Sequence, residues 1–178
     1  MSTVGYEMYM KLLSEAVLEE KGEKPPQRAD CAADLAVSAN IPESYVRSAE
    51  QRMDLYRRIA MIRTEAEADD LTDELIDRYG DPPSSVNTLV HVALLRGEAG
   101  RAGITDISQK AGALRFVLSD FDMARVSLLY GKTEYKGRLR VEAGQKPCLN
   151  LMLRNKKRVL EEARRFVADW EAAGQSAS

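Results

Sequence analysis

The 178-residue sequence contains only two cysteines, one histidine and one tryptophan. Cys31 and Cys148 lie far apart and form no Cys-x-x-Cys motif, so we expect free, mostly buried thiols and no zinc or other metal site. No apolar run reaches the roughly 18 residues of a membrane span, and no signal-peptide pattern follows Met1. These absences predict a cytoplasmic protein that does not bind membranes.

Charge is segregated along the chain, although the formal net charge is only -2 at pH 7. Residues 65–81 carry eight acidic side chains and one basic one, whereas residues 154–165 carry six basic and two acidic ones. The near-neutral total argues against a surface that is mainly a nucleic-acid footprint, because such domains are usually strongly basic. The sequence therefore predicts an acidic pole and a basic pole.

Alternating helical and strand periodicities predict an α+β fold, with amphipathic helices packed on a small mixed sheet. The main helices are predicted at residues 45–63, 64–79, 86–102 and 155–172, with a separable N-terminal helix at 4–21 and a short helix near 121–130. Strands are predicted at residues 31–39, 104–108, 113–118, 138–142 and 148–153, the last two as a hairpin. The amphipathic C-terminal helix is expected to close the domain.

The helix that follows Thr64 is the most informative segment, because its spacing separates an apolar face from an acidic stripe. The apolar face contains Leu71, Leu75 and Tyr79, and the acidic stripe contains Asp70, Glu74 and Asp77. Glu74 and Asp77 stand at i, i+3 and can meet two arginines on a flat partner surface, with Asp70 and Asp73 as helpers. A convex stripe offers no pocket for acid–base chemistry, so no catalytic residue is predicted. From composition alone, a solvated helix face is the preferred interpretation, because most helices carry their charges outward.

Four sequence blocks point to a known family. They are VGYEMYMKLLSEAV (4–17), IPESYV (41–46), RMDLYRRIA (52–60) and ELIDRYG (74–80). Their order and spacing resemble the C-terminal domain of bacterial transcription-repair coupling factors (Mfd), and the resemblance extends over roughly residues 4–170. It implies that residues 1–24 are the C-terminal edge of a translocase module, residues 25–174 a regulatory domain and residues 175–178 a disordered tail.

In that family, the full protein uses ATP to push on DNA behind a stalled RNA polymerase and recruits nucleotide excision repair through UvrA. The resemblance implies that this domain docks on the N-terminal UvrB-like module of the same protein, masks the UvrA-binding surface and restrains the motor. It also places Glu74 and Asp77 at that docking contact. The sequence has no Gly-x-x-x-x-Gly-Lys-Ser/Thr loop and no Asp-Glu-x-His box. We therefore expect no enzymatic activity here, with ATP and Mg²⁺ bound by the translocase module and DNA by other domains.

The basic pole raises an alternative, a nucleic-acid-binding accessory domain. Its candidate phosphate contacts are Lys157, Arg158, Arg164 and Arg165. Acidic residues Glu161 and Glu162 interrupt this run, and ordinary solubility explains a basic helix face equally well. A partner protein is therefore the preferred ligand.

Overall fold

The structure is a computed structural model that describes residues 31–142 and 144–177. In chain order, its helices and strands are β1 (Ala32–Asp34), α1 (Ala49–Ala60), α2 (Glu65–Tyr79), α3 (Ser84–Arg101), β2 (Ile104–Lys110), β3 (Ala113–Leu118), α4 (Met123–Tyr130), β4 (Leu139–Glu142), β5 (Cys148–Met152) and α5 (Val159–Ala177). Short 3₁₀ turns cover Thr133–Tyr135 and Lys156–Arg158. The predicted N-terminal helix and translocase edge lie outside the described residues. The α+β prediction is confirmed.

The described residues form two compact units, where the sequence predicted one domain over residues 25–174. Residues 37–97 belong to the first unit, and residues 31–36 and 98–177 belong to the second. The division falls inside α3, directly after Gly97. Each unit has its own buried apolar residues, so each is described separately below.

The first unit is helical, and its core contains buried side chains from α1, α2, α3 and the segment before α1. The predicted helix start near Tyr45 is wrong, because α1 begins after Ser48, whose Oγ accepts a hydrogen bond from Gln51 N at 3.3 Å. Tyr45 instead packs against Tyr79, with ring centroids 5.7 Å apart, and its hydroxyl donates to Gly80 O at 2.8 Å. Tyr45 thereby holds the segment that precedes α1 against the C-terminal end of α2.

Helix α2 begins and ends where the sequence predicted. Thr64 Oγ1 accepts a hydrogen bond from Glu67 N at 3.2 Å, which satisfies a free amide of the first turn. Gly80 ends the helix with φ at +84°, a conformation in which any other residue would be strained. Ala68, Leu71 and Leu75 are buried on the inward face. The orientation of α2, and therefore of its acidic side, is fixed by this burial.

The second unit contains a five-stranded mixed sheet with the strand order β1-β2-β3-β5-β4. Strand β1 is parallel to β2, and the other neighbouring pairs are antiparallel, including the predicted β4–β5 hairpin. The strand predicted over residues 31–39 is shorter than expected and covers only Ala32–Asp34. Strand β1 ends at Asp34, and two residues later Ala36 N donates at 2.9 Å to the side-chain oxygen of Gln109 on β2, a contact that replaces the backbone pairing of the sheet.

Helix α5 packs on this sheet through aromatic side chains. The Phe166 ring stacks on Phe116 with centroids 4.1 Å apart, and Trp170 Nε1 donates to Ala102 O at 3.1 Å. The helix continues through Ala177, so the predicted tail is wrong for residues 175–177, which are helical. Burial of Ala173 keeps the last turns against the unit. Both cysteines are buried, as predicted.

Candidate docking surface

Helix α2 presents its acidic residues on the side that faces away from the core of the first unit. Asp70, Asp73 and Asp77 are exposed, whereas Glu74 is half-buried. The spacing predicted this division, because acids three and four residues apart share one side of a helix. The four predicted docking residues therefore lie together on one element.

Glu74 differs from its neighbours because it forms an ion pair inside the unit. Arg58 Nη2 on α1 donates to Glu74 Oε1 at 2.9 Å, and Arg58 Nη1 donates to Oε2. Arg78 Nη1 lies 3.6 Å from the same Oε2. Hydrogen bonding from Arg58 holds the pKa of Glu74 below its ordinary value, and the same bonds raise the pKa of Arg58. Glu74 thus already joins α2 to α1 in the absence of a partner.

Arg58 was missed in the sequence prediction of the site. It lies on α1, 16 positions before Glu74, so no periodicity within one helix connects the two side chains. The only sequence signal is a basic residue in the last turn of α1, which also suits the helix dipole. The pairing depends on how the two helices pack, and this is decided by the tertiary structure.

The other three acids have no such partner. Within the described ranges, the carboxylates of Asp70, Asp73 and Asp77 take part in no ion pair or hydrogen bond. Exposed carboxylates of this kind remain hydrated until a partner replaces the water. Docking that uses these groups therefore breaks no ion pair or hydrogen bond among the described residues.

A shallow cleft of about 250 Å³ lies beside the acidic side, between the end of α1 and the first turns of α2. Its apolar lining comes from Met61, Ile62 and Leu71. Its charged lining comes from Arg58, Glu67, Asp70 and Glu74. Sequence reasoning did not find this α1–α2 cleft, because its two walls come from different helices.

Most of the predicted phosphate contacts at the basic pole face acidic side chains of the second unit. Arg164 Nη2 lies 3.1 Å from Glu98 Oε1, and Arg165 Nη2 lies 3.7 Å from a Glu134 oxygen. Arg158 Nη1 lies 3.8 Å from Glu161 Oε2. Lys157 is exposed and takes part in no ion pair among the described residues. The positive charge of this pole is therefore partly neutralised within the fold.

Among residues 31–142 and 144–177, no group of three or more His, Cys, Asp or Glu side chains is placed to hold a metal ion. No helix in these ranges is long and apolar enough to cross a membrane.

Comparison with known proteins identifies the family. The chain is 28% identical over 169 residues to the transcription-repair-coupling factor of Staphylococcus epidermidis, an alignment that covers 93% of this chain and 14% of that protein. It is 32% identical over 125 residues to the same factor of Bacillus subtilis, covering 70% of this chain and 11% of that protein. The Escherichia coli factor is 32% identical over 123 residues. The chain thus spans about one seventh or less of these relatives.

A crystal structure of the C-terminal domain of a transcription-repair coupling factor superposes with a TM-score of 0.69, at 19% identity. The superposition covers 86% of this chain and 100% of the other chain. The fold is therefore that of a transcription-repair coupling factor C-terminal domain. The TRCF domain model matches residues 35–127, and the chain belongs to this family of bacterial transcription-repair coupling factor domains.

Proposed function

We propose that this chain is a regulatory docking domain that binds the N-terminal UvrB-like module of its own parent protein through the acidic side of α2. The observation that carries the proposal is the set of exposed carboxylates, Asp70, Asp73 and Asp77, which have no counter-ion within the described residues. Family membership supports the same proposal, since the ELIDRYG block that resembles the family lies on this helix.

Electrostatics suits these carboxylates for docking on a basic surface. Charge pairs that become desolvated in an interface can couple by roughly 1.5 kcal/mol or more, whereas solvent-exposed pairs contribute about 0–1 kcal/mol. The carboxylates of Asp73 and Asp77 take part in no ion pair or hydrogen bond within the described part of the chain, so a partner arginine can pair with them without breaking an existing ion pair there. We expect the exposed acids of α2 to make the main electrostatic contribution to docking.

Glu74 has a different part in this proposal from the one that the sequence predicted. Its bidentate contact with Arg58 fixes α2 against α1, which orders the surface before a partner arrives. A surface already held in its binding conformation loses less conformational entropy on association. Glu74 is therefore proposed as a positioning residue, with the direct contacts made by its neighbours.

In the complete protein, docking of this domain is proposed to mask the surface through which the UvrB-like module binds UvrA, and to restrain the ATP-driven motor. Release must then come from a ligand that binds the undocked state more tightly, because a ligand shifts an equilibrium only by its differential affinity. RNA polymerase and DNA, bound by other parts of the parent protein, are the proposed ligands of this kind. This chain is proposed to have no ATPase activity, and ATP and Mg²⁺ are proposed to bind the translocase module.

The alternative, phosphate binding by the basic pole, has less support. Arg164, Arg165 and Arg158 each lie within 4.0 Å of an acidic side chain, at 3.1, 3.7 and 3.8 Å respectively. A phosphate backbone would have to compete with these acids for each base. Such binding would also weaken steeply with added salt, which gives a direct way to separate the two functions.

The test is a calorimetric titration of the chain with the isolated UvrB-like module of the same parent protein. Asp77→Lys should weaken binding at least tenfold, because it places a positive charge against the basic partner. Glu50→Lys is the matched control, since Glu50 is also an exposed acid of this unit but lies on α1 rather than on the acidic side of α2. Equal affinities for the two variants would contradict docking through the acidic side, and salt-sensitive binding to duplex DNA would favour the basic pole.

A further inference from the structure

The α1–α2 cleft combines an apolar lining with an acidic rim, and this combination specifies the kind of group that it can hold. Ile62 and Leu71 are buried beneath it, and the Met61 side chain, 48% exposed, forms one wall. Three carboxylates and one guanidinium line the same space. The cleft is thus amphipathic and carries an excess of negative charge.

Its size favours a single side chain over a small-molecule ligand. The volume of about 250 Å³ lies below the roughly 300–1,000 Å³ of typical small-molecule sites. Arginine fits the observed chemistry, because its methylene stem can lie along apolar side chains while the guanidinium reaches a carboxylate at the rim. Interfaces commonly concentrate their binding energy in such an anchor, held in a small pocket.

Among the described residues, only one rim carboxylate has both oxygens without an ion-pair or hydrogen-bond partner. Glu74 already accepts from both terminal nitrogens of Arg58. Glu67 Oε2 accepts a hydrogen bond from Arg63 N at 3.2 Å, near the start of α2. Asp70 takes part in no hydrogen bond or ion pair within the described residues. The bidentate geometry that arginine prefers is therefore open at Asp70 alone among the three.

We propose that the α1–α2 cleft receives one arginine side chain of the docking partner, with its stem against Met61 and its guanidinium paired with Asp70. This inference rests on the docking function proposed above, and it names the chemistry of one contact within that docking. Arg58 contributes by neutralising Glu74, which directs the incoming cation to Asp70. Lysine is a poorer occupant, because an ammonium group cannot form the planar two-point contact.

Two measurements on the same chain test the proposal. In the first, the UvrB-like module is titrated against Asp70→Asn, with Asp69→Asn as the matched control for charge and helix. Asp70→Asn should weaken binding roughly tenfold or more, while Asp69→Asn stays near wild type. Circular dichroism should be unchanged in both variants, because both side chains are exposed.

In the second, the ¹³C-labelled methyl resonance of Met61 is followed while a short acetylated peptide with one central arginine is added, and a lysine version of the peptide is the control. The arginine peptide should shift this resonance in wild type and Asp69→Asn but not in Asp70→Asn, and the lysine peptide should shift it less.

The pattern of results separates this proposal from the docking function. Module binding that is lost in Asp77→Lys but unchanged in Asp70→Asn would keep the docking function and overturn the arginine contact. A Met61 shift that depends on Asp70, in a chain that does not bind the module, would keep the cleft and overturn the docking function. Absence of both effects would overturn both.

Discussion

The Glu162 carboxylate on α5 is the contact whose removal should most clearly destabilise the second unit. Its Oε1 accepts hydrogen bonds from Arg138 Nη2 and from Arg154 N, the latter at 3.1 Å, and its Oε2 accepts from Asn155 N at 3.0 Å. Arg138 Nε also donates to Met152 O at 2.9 Å. One carboxylate therefore joins α5 to the start of β4 and to the turn that precedes the helix.

The cost of Glu162→Gln follows from these contacts. Glutamine keeps one acceptor oxygen, but it places an NH₂ group against one of the donors and removes the charge that faces Arg138. Hydrogen bonds to charged groups contribute about 1.5–3 kcal/mol, and breaking a fully buried ion pair costs about 3–5 kcal/mol. The side chains of Arg138 and Glu162 are 13% and 17% exposed, so the pair is not fully buried. We expect a loss of about 2 kcal/mol in the free energy of unfolding.

Urea unfolding followed by tryptophan fluorescence measures this loss. Trp170 is the only tryptophan, and it is buried in the same unit as Glu162. With a slope of about 2 kcal/mol per molar urea, the midpoint should fall by about 1 M. The matched control is Glu161→Gln, whose side chain is 73% exposed and 3.8 Å from Arg158. Its effect should stay below about 0.5 kcal/mol.

A Glu162→Gln midpoint that stays within about 0.25 M of wild type, as expected for Glu161→Gln, would refute this reasoning. That result would mean that water replaces the carboxylate at no cost, and that the contacts around Arg138 do not stabilise the unit. A large loss in both variants would indicate that the effect comes from the favourable interaction of both carboxylates with the N-terminus of α5, and not from the Arg138–Glu162 ion pair.

Three further predictions concern pH dependence and packing. Because Arg58 lowers the pKa of Glu74, the unfolded chain takes up a proton first as the pH falls. The stabilisation lost in Glu74→Gln, at most about 1 kcal/mol for so exposed a pair, should be present above about pH 4.5 and disappear below it in urea titrations followed by circular dichroism. Burial, and then the Asp169 carboxylate, raise the pKa of Tyr135, so the unfolded chain ionises first and stability should fall above about pH 10, less steeply in Tyr135→Phe. A Cβ at Gly174 would lie 1.6 Å from Arg125 Nη2, so the guanidinium would have to leave its place over the Trp170 ring; Gly174→Ala should therefore raise stability more in an Arg125→Ala background than in wild type, as a double-mutant cycle of unfolding energies would measure.

Local signals explain why much of the fold could be predicted from the sequence. The limits of α2 depend on Thr64 and Gly80, whose effects act within one turn of chain, and both were recognised. The β4–β5 hairpin likewise follows from alternating residues on either side of a short turn. By contrast, the start of α1 was misplaced, because Tyr45 is held by contacts with Gly80 and Tyr79, more than 30 residues away.

The candidate docking surface, like the fold, could be predicted only in part from the sequence. The sequence by itself determined that Asp70, Glu74 and Asp77 share one side of a helix, because that follows from 3.6 residues per turn. The tertiary structure decided that Glu74 is paired with Arg58 while Asp70 has no partner among the described residues, and that a cleft lies beside them. Packing between α1 and α2 sets these distances, and side chains from different helices meet only once that packing exists.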